Sequence, residues 1–164
     1  MFTDRPQSTA DRYEKAFAAD PHANEHLFYH GSRNENWWSI INTGVKIKPA
    51  NAVHTGSMFG PGAYWANKAR KSIGYTSLRG SYWASGSSNK AYLGIFRVNL
   101  GRKWNLIGPR KSYEYWMSSL NKHKCNAKGY DSLFAKGGAD LRNDEFITFE
   151  DARSTIKYLV ELES

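Results

Sequence analysis

Alternation of apolar and polar side chains marks most of the regular structure in this chain. "HLFYHG" (26–31) reads as a strand, "GAYWA" (62–66) as a short one, and "AYLGIFRVNL" (91–100) as a clear, longer one. "GYDSLFAKG" (129–137) reads as a strand and turn, and "DEFITF" (144–149) and "STIKYLVEL" (154–162) as strands with period-two character. Helical stretches fall between them. One runs from Ser8 or Thr9 through Ala18, with Pro21 beyond its end. "NENWWSIINTG" (34–44) is a helix capped by Asn34 and stopped by Gly44. "NKARKSIGY" (67–75) is a short helix and "RKSYEYWMSSLNK" (110–122) a longer one. Residues 48–62 hold two prolines and three glycines and must form a loop. The Gly/Ser-rich "SLRGSYWASGSSN" (77–89) is expected to be a mobile loop. Strands outnumber helices and do not alternate regularly with them, so the fold class is α+β rather than a doubly wound sheet.

Composition narrows this picture. A chain of 164 residues with 40% hydrophobic content is one domain able to bury a core. Six tryptophans and ten tyrosines exceed what packing requires, so some rings are expected to stack on a ligand. No apolar run reaches the roughly 18 residues of a membrane span, and "MFTDRPQSTADRYEKAF" lacks the apolar region of a signal peptide. The single Cys125 excludes an internal disulfide. The expectation is a cytoplasmic protein.

The net charge of +8 is unevenly spread. Residues 33–128 carry sixteen Lys or Arg against two acids, an excess of fourteen, while residues 129–164 carry eight acids against four bases. A basic stretch of this size is expected to attract a polyanion, the ordinary alternative being a solvated surface.

Several familiar chemistries are absent. Neither GxGxxG after a strand nor GxxxxGKS occurs, so Rossmann and P-loop nucleotide sites are excluded. His22, His26 and His30 are spaced four apart, but Pro21 and the strand at His30 keep them off one helix face, so no metal site is expected. Cys125, in the basic "NKHKCNAKG" near His123, reads as a lone surface cysteine, the alternative being a thiol nucleophile.

Five further motifs belong together: "YHGSRNENWWSIINTGVKIKP", "TGSMFGPGAYWANKARKSIGY", "YLGIFRVNLG", "GYDSLFAKG" and "NDEFITFEDARSTIKYLVEL". In this order, over Leu27 to Leu162, the chain resembles the catalytic domain of the poly(ADP-ribose) polymerases, the diphtheria-toxin-like branch of the ADP-ribosyltransferases. The resemblance implies a split antiparallel sheet with short flanking helices and a cleft for NAD⁺, the substrate. It implies a catalytic domain over 27–164 and an N-terminal helical extension over 1–26, too short for the helical regulatory domain of many family members. The family's His-Tyr-Glu signature maps onto His30, Tyr64 and Glu145. On that analogy His30 bonds the adenine-side ribose, and Gly31 and Ser72 bond the nicotinamide amide. Tyr64 and Tyr75 sandwich its ring, and Ser32 and Asn36 approach the adenosine ribose. Lys48 to Phe59 would be the donor loop, with Lys46 and Lys48 placed to balance the pyrophosphate. Polymer-forming relatives often carry a tyrosine and a lysine where this chain has Ser57 and Pro61, which implies single ADP-ribose units, with short polymers as the variant.

The residue types suit that chemistry. Loss of nicotinamide leaves an oxocarbenium-like ribose, and a fixed carboxylate near it stabilises the transition state by a few kcal/mol, on the order of 10²–10³ in rate. Glycines let backbone approach a flat amide closely. Singly, each residue has an ordinary reading. His30 would be a core histidine, the two tyrosines core aromatics, Ser72 a helix-surface hydroxyl, Glu145 an exposed strand acid, and Ser32 and Asn36 helix caps. The rival functions are a toxin-type transferase with one protein target and a catalytically silent module binding NAD⁺, ADP-ribose or nucleic acid.

Overall fold

The computed structural model describes residues 7–47, 58–106, 118–138 and 141–164. Two sheets form the frame. The first has the order β1 (Glu25–Gly31), β3 (Lys90–Asn99), β7 (Ser154–Glu163), all antiparallel. The second has the order β2 (Ala63–Trp65), β6 (Glu145–Thr148), β5 (Ser132–Ala135), β4 (Lys103–Leu106). Its β4–β5 pair is parallel, a departure from the all-antiparallel expectation. A single bridge stitches the halves: the Tyr29 N–H donates to Ala66 O at 2.8 Å and the Ala66 N–H to Tyr29 O at 3.1 Å. The sheet is thus split beside His30 and Tyr64, and the split opens the cleft.

Alternating positions fill two cores. Phe28, Trp37, Ala63, Trp65, Phe96, Val98, Phe146 and Ile156 pack together where the sheets diverge. Phe59, Leu106, Leu120, Cys125, Leu133 and Ile147 form the second core under β5 and β6. Trp65 is buried on the condition that its indole N–H finds an acceptor, and it donates to Thr148 Oγ1 at 2.9 Å.

The helices are α1 (Gln7–Ala19), α2 (Trp37–Thr43), α3 (Ala69–Ile73) and α4 (Lys122–Ala127). Three expectations are corrected, and a fourth falls mostly on residues that are not described. Asn34 does not cap α2. It opens a 3-10 turn, Asn34–Asn36, and its amide donates to Lys90 O at 3.0 Å, tying that turn to β3. Cys125 is buried rather than on the surface, and burial pushes its thiol up to about 12. The expected helix over 110–122 lies mostly outside the described residues; of the described part, Ser118 and Ser119 are in a 3-10 turn and α4 begins at Lys122. The Gly/Ser loop is not loose chain: it folds into linked turns, with the Arg79 N–H donating to Ser88 O (2.7 Å) and Ser81 Oγ to Thr76 O (2.7 Å).

Pairing between distant segments absorbs much of the basic excess. Arg97 bonds Glu14 and Glu25, Arg102 bonds Asp131, Lys90 bonds Glu161 and Glu163, and Lys122 bonds Glu150. Arg153 joins Asp20, Asp131 and Glu150 and pins α1 to the start of β7.

Candidate active site

The two sheets diverge around a cleft of about 350 Å³, within the size range of small-molecule sites. His30, Gly31, Ser32, Asn36, Tyr64, Ser72, Tyr75 and Glu145 all line it, together with Lys46, Pro61 and Lys71. Six of them come from four elements: β1 brings His30 and Gly31, β2 brings Tyr64, α3 brings Lys71 and Ser72, and β6 begins at Glu145; the others lie on connecting turns. Lys48, Ser57 and most of the Lys48–Phe59 stretch lie outside the described residues.

His30 is fixed by its neighbours. Its Nδ1 lies 3.1 Å from Tyr64 O, and since a carbonyl only accepts, Nδ1 carries the hydrogen and Nε2 the lone pair. Trp65 and Phe96 flank the ring at centroid distances of 5.4 and 5.9 Å. Burial holds the imidazole below the usual histidine range, and the bond to Tyr64 O opposes that shift only in part. At neutral pH His30 is uncharged.

Gly31 is glycine for a reason internal to the fold. A Cβ there would stand 1.8 Å from Ser72 O, so β1 and α3 meet backbone to backbone. This contact sets the Gly31 peptide beside Ser72, which is buried. The reading of this glycine as a ligand-approach position is therefore incomplete: the strand–helix contact already demands it.

The Tyr64 hydroxyl is anchored at both ends, accepting from the Phe59 N–H at 3.1 Å and donating to Gly60 O at 2.8 Å. It thereby clamps the chain leading out of residues 48–57 onto the cleft floor. Burial raises its phenol, the Phe59 N–H opposes, and the Glu145 charge adds to the rise. Tyr75 is likewise raised by burial and then by Glu145, so both rings remain neutral. Tyr75 is 42% exposed and stacks on Trp83 at the cleft mouth, with centroids 6.1 Å apart and planes at 16°.

Glu145 sits at the start of β6 with one carboxylate oxygen 2.6 Å from Lys71 Nζ, and each side chain is only 12% exposed. Lys71 also donates to Asp144 O at 3.4 Å. Sequence reasoning missed Lys71. The signal was present in the "Lys-Ser-x-x-Tyr" spacing, because Lys71 and Ser72 begin the same motif, but a lysine on a basic helix reads first as solvated. Ser32 and Asn36 bond each other, the Asn36 amide donating to Ser32 Oγ at 2.9 Å; Asn36 stands at the N-cap of α2, but its side chain makes no capping bond. Lys46 lines the cleft but is half engaged by Asp151 at 3.5 Å.

A split sheet with a ligand-sized cleft at the split is the fold of the ADP-ribosyltransferases, a class of NAD⁺-using enzymes. Residues 4–164 match the family model of the poly(ADP-ribose) polymerase catalytic domain, and the chain belongs to that family. A poly(ADP-ribose) polymerase-like protein of Invertebrate iridescent virus 6 is 31% identical over 83% of this chain and 70% of its own length. Poly(ADP-ribose) polymerase 2 of Homo sapiens is 39% identical over 75% of this chain, and polymerase 2-A of Oryza sativa 34% over 73%. The chain spans only 19% and 16% of those two proteins.

Proposed function

We propose that the cleft binds NAD⁺ and transfers its ADP-ribose, as single units, to a protein or nucleic-acid nucleophile with release of nicotinamide. The observation that carries this reading is the convergence of His30, Tyr64 and Glu145 on one cavity that also holds Gly31, Ser72 and Tyr75. Nicotinamide lies between the Tyr64 and Tyr75 rings, its amide bonded by the Gly31 backbone and the Ser72 hydroxyl. His30, neutral and with Nδ1–H already committed, offers Nε2 as acceptor to an adenosine ribose hydroxyl, and Ser32 and Asn36 line the same end of the cleft. Glu145 is held by Lys71 through one oxygen, which leaves the other to accept from the 2′-hydroxyl of the reacting ribose. The bond between C1′ and the nicotinamide nitrogen breaks, and its electron pair departs with nicotinamide. The acceptor then adds its own pair to C1′ and gives up its proton.

Transfer of single units is supported by Pro61. This buried residue lines the cleft where polymer-forming relatives often carry lysine, and it offers neither charge nor N–H to an incoming sugar. Incubation with labelled NAD⁺ and separate protein, RNA and DNA pools tests the proposal. Released nicotinamide and a single labelled product size are expected. A ladder of sizes would overturn the single-unit assignment, and NAD⁺ left intact would overturn the transferase itself.

A further inference from the structure

Among the described residues three exposed Trp and Tyr rings lie outside the cleft, Trp38 and the adjacent pair Tyr82 and Trp83. Tyr82 is 75% exposed and Trp83 62%, in a segment where solvent normally meets polar side chains. They form one continuous surface: the Tyr82 and Trp83 centroids are 4.7 Å apart at 88°, and Trp83 stacks on Tyr75. The row Tyr82–Trp83–Tyr75 therefore runs from open solvent to the cleft mouth. The backbone beneath it is tied down. The Trp83 and Ala84 N–H groups both donate to Gly74 O (3.0 and 3.2 Å), and Ser81 Oγ accepts from the Gly86 N–H at 3.0 Å.

Charge beside the rings is mostly positive. Arg33 donates to Ala84 O at 3.1 Å, next to Trp83, with Glu35 as a loose partner at 3.8 Å. The guanidinium of Arg79, three residues before Tyr82, donates to Asn89 Oδ1 at 2.9 Å. Lys68 and Arg70 lie exposed on the stretch that leads through α3 into Gly74. Among the described residues no ion pair joins Lys68, Arg70 or Arg79 to a carboxylate, although Lys46, Lys71, Lys90, Arg97, Arg102 and Lys122 all have one. Internal pairing has consumed much of the basic excess elsewhere and left it here. From Asn36 to Tyr113 the sequence contains no acid.

Exposed rings flanked by cations, of which Arg79, Lys68 and Arg70 have no carboxylate partner among the described residues, suit bases that stack and phosphates that pair. We infer that Tyr82 and Trp83 are a stacking platform for a single-stranded nucleic acid, whose backbone Arg33 and Arg79 hold at the Tyr75 mouth of the cleft. A duplex would present phosphates but keep its bases stacked inside, and an acidic peptide would present charge without rings. Docking itself needs no NAD⁺. Its bearing on catalysis rests on the transferase reading above.

The test is fluorescence anisotropy with labelled RNA and DNA single strands of about twelve nucleotides, without NAD⁺, against a duplex of equal length and polyglutamate. Single strands should bind most tightly, with affinity falling steeply as salt rises. Tyr82→Ala and Arg79→Glu should each weaken binding about tenfold, while nicotinamide release by Tyr82→Ala stays at the wild-type level. Equal binding of duplex or polyglutamate, indifference to both substitutions, or no binding would overturn the platform. Nicotinamide release measured on the same preparations keeps the two claims apart, because its absence in the wild type sinks the transferase reading and says nothing against the platform.

Discussion

At the scale of single residues, the Glu145–Lys71 pair decides how much the cleft can do. A carboxylate that must meet a developing positive charge gains from being held in advance. Lys71, bonded to both Glu145 and the Asp144 carbonyl, holds it. Lys71→Met should lower turnover about tenfold with KM little changed, and Lys71→Arg should restore most of it, measured as nicotinamide release. A loss in KM alone would make Lys71 a binding group instead. His30 adds a pH signature. Its folded-state pKa lies below the unfolded value of 6.5, so its neutral form is native at pH 7. Stability linked to it is full above 6.5 and is lost as pH falls towards the folded value. NAD⁺ affinity should therefore be flat from pH 7 to 8 and weaken on acidification once Nε2 is protonated, as titration calorimetry would register. These side chains were legible in the sequence because each sits in a motif. Lys71 escaped notice because its role depends on a partner 74 positions away.

At the scale of elements, the contact between β1 and α3 is what brings Gly31 and Ser72 together in the cleft, at the end proposed for nicotinamide. With Ser72 O 1.8 Å from where a Cβ would stand, Gly31→Ala must push backbone against backbone. The expected outcome is a clear fall in thermal stability and loss of NAD⁺ binding together, read by calorimetry. A variant that kept full affinity would show that Gly31 and Ser72 do not share a ligand. Longer strands such as β3 and β7 were legible because ten residues give alternation room to declare itself. β4 and α4 were missed although β5 and β6 are as short as β4, because those two sit in family motifs and "KWNL" and "KHKCNA" do not. Asn34 looked like a cap because local sequence cannot reveal a tertiary acceptor such as the Lys90 carbonyl.

At the scale of the whole molecule, the uneven charge of the sequence is in large part folding information. Basic middle and acidic ends find each other, and the cluster of Asp20, Asp131, Glu150 and Arg153 fastens α1 to the sheet. Burial alone would raise Asp131, but the hydrogen bonds from Arg102 and the charges of Arg153 and Arg102 outweigh it and hold the carboxyl below the usual range. Asp20 is held down in the same way, against its own burial, by His22, Asn99 and Arg153. Both contribute stability that is complete above the ordinary aspartate value of 3.8 and is lost as pH falls through their folded values. Urea midpoints should be level near neutrality, begin to fall below about pH 6.5 with His30 and fall further below about pH 4 as these aspartates protonate. Arg153→Met, which strands these acids, should cost about 3 kcal/mol in the same assay. A total charge computed from sequence could not separate the cations spent on such pairs from those left beside Tyr82 and Trp83, since pairing is a property of the folded chain. The most direct measurement is nicotinamide release from NAD⁺ by the wild type and by Glu145→Gln. The account predicts turnover in the first and a rate lower by roughly 10²–10³ in the second, with NAD⁺ still bound. Equal rates, or none in either, would contradict it.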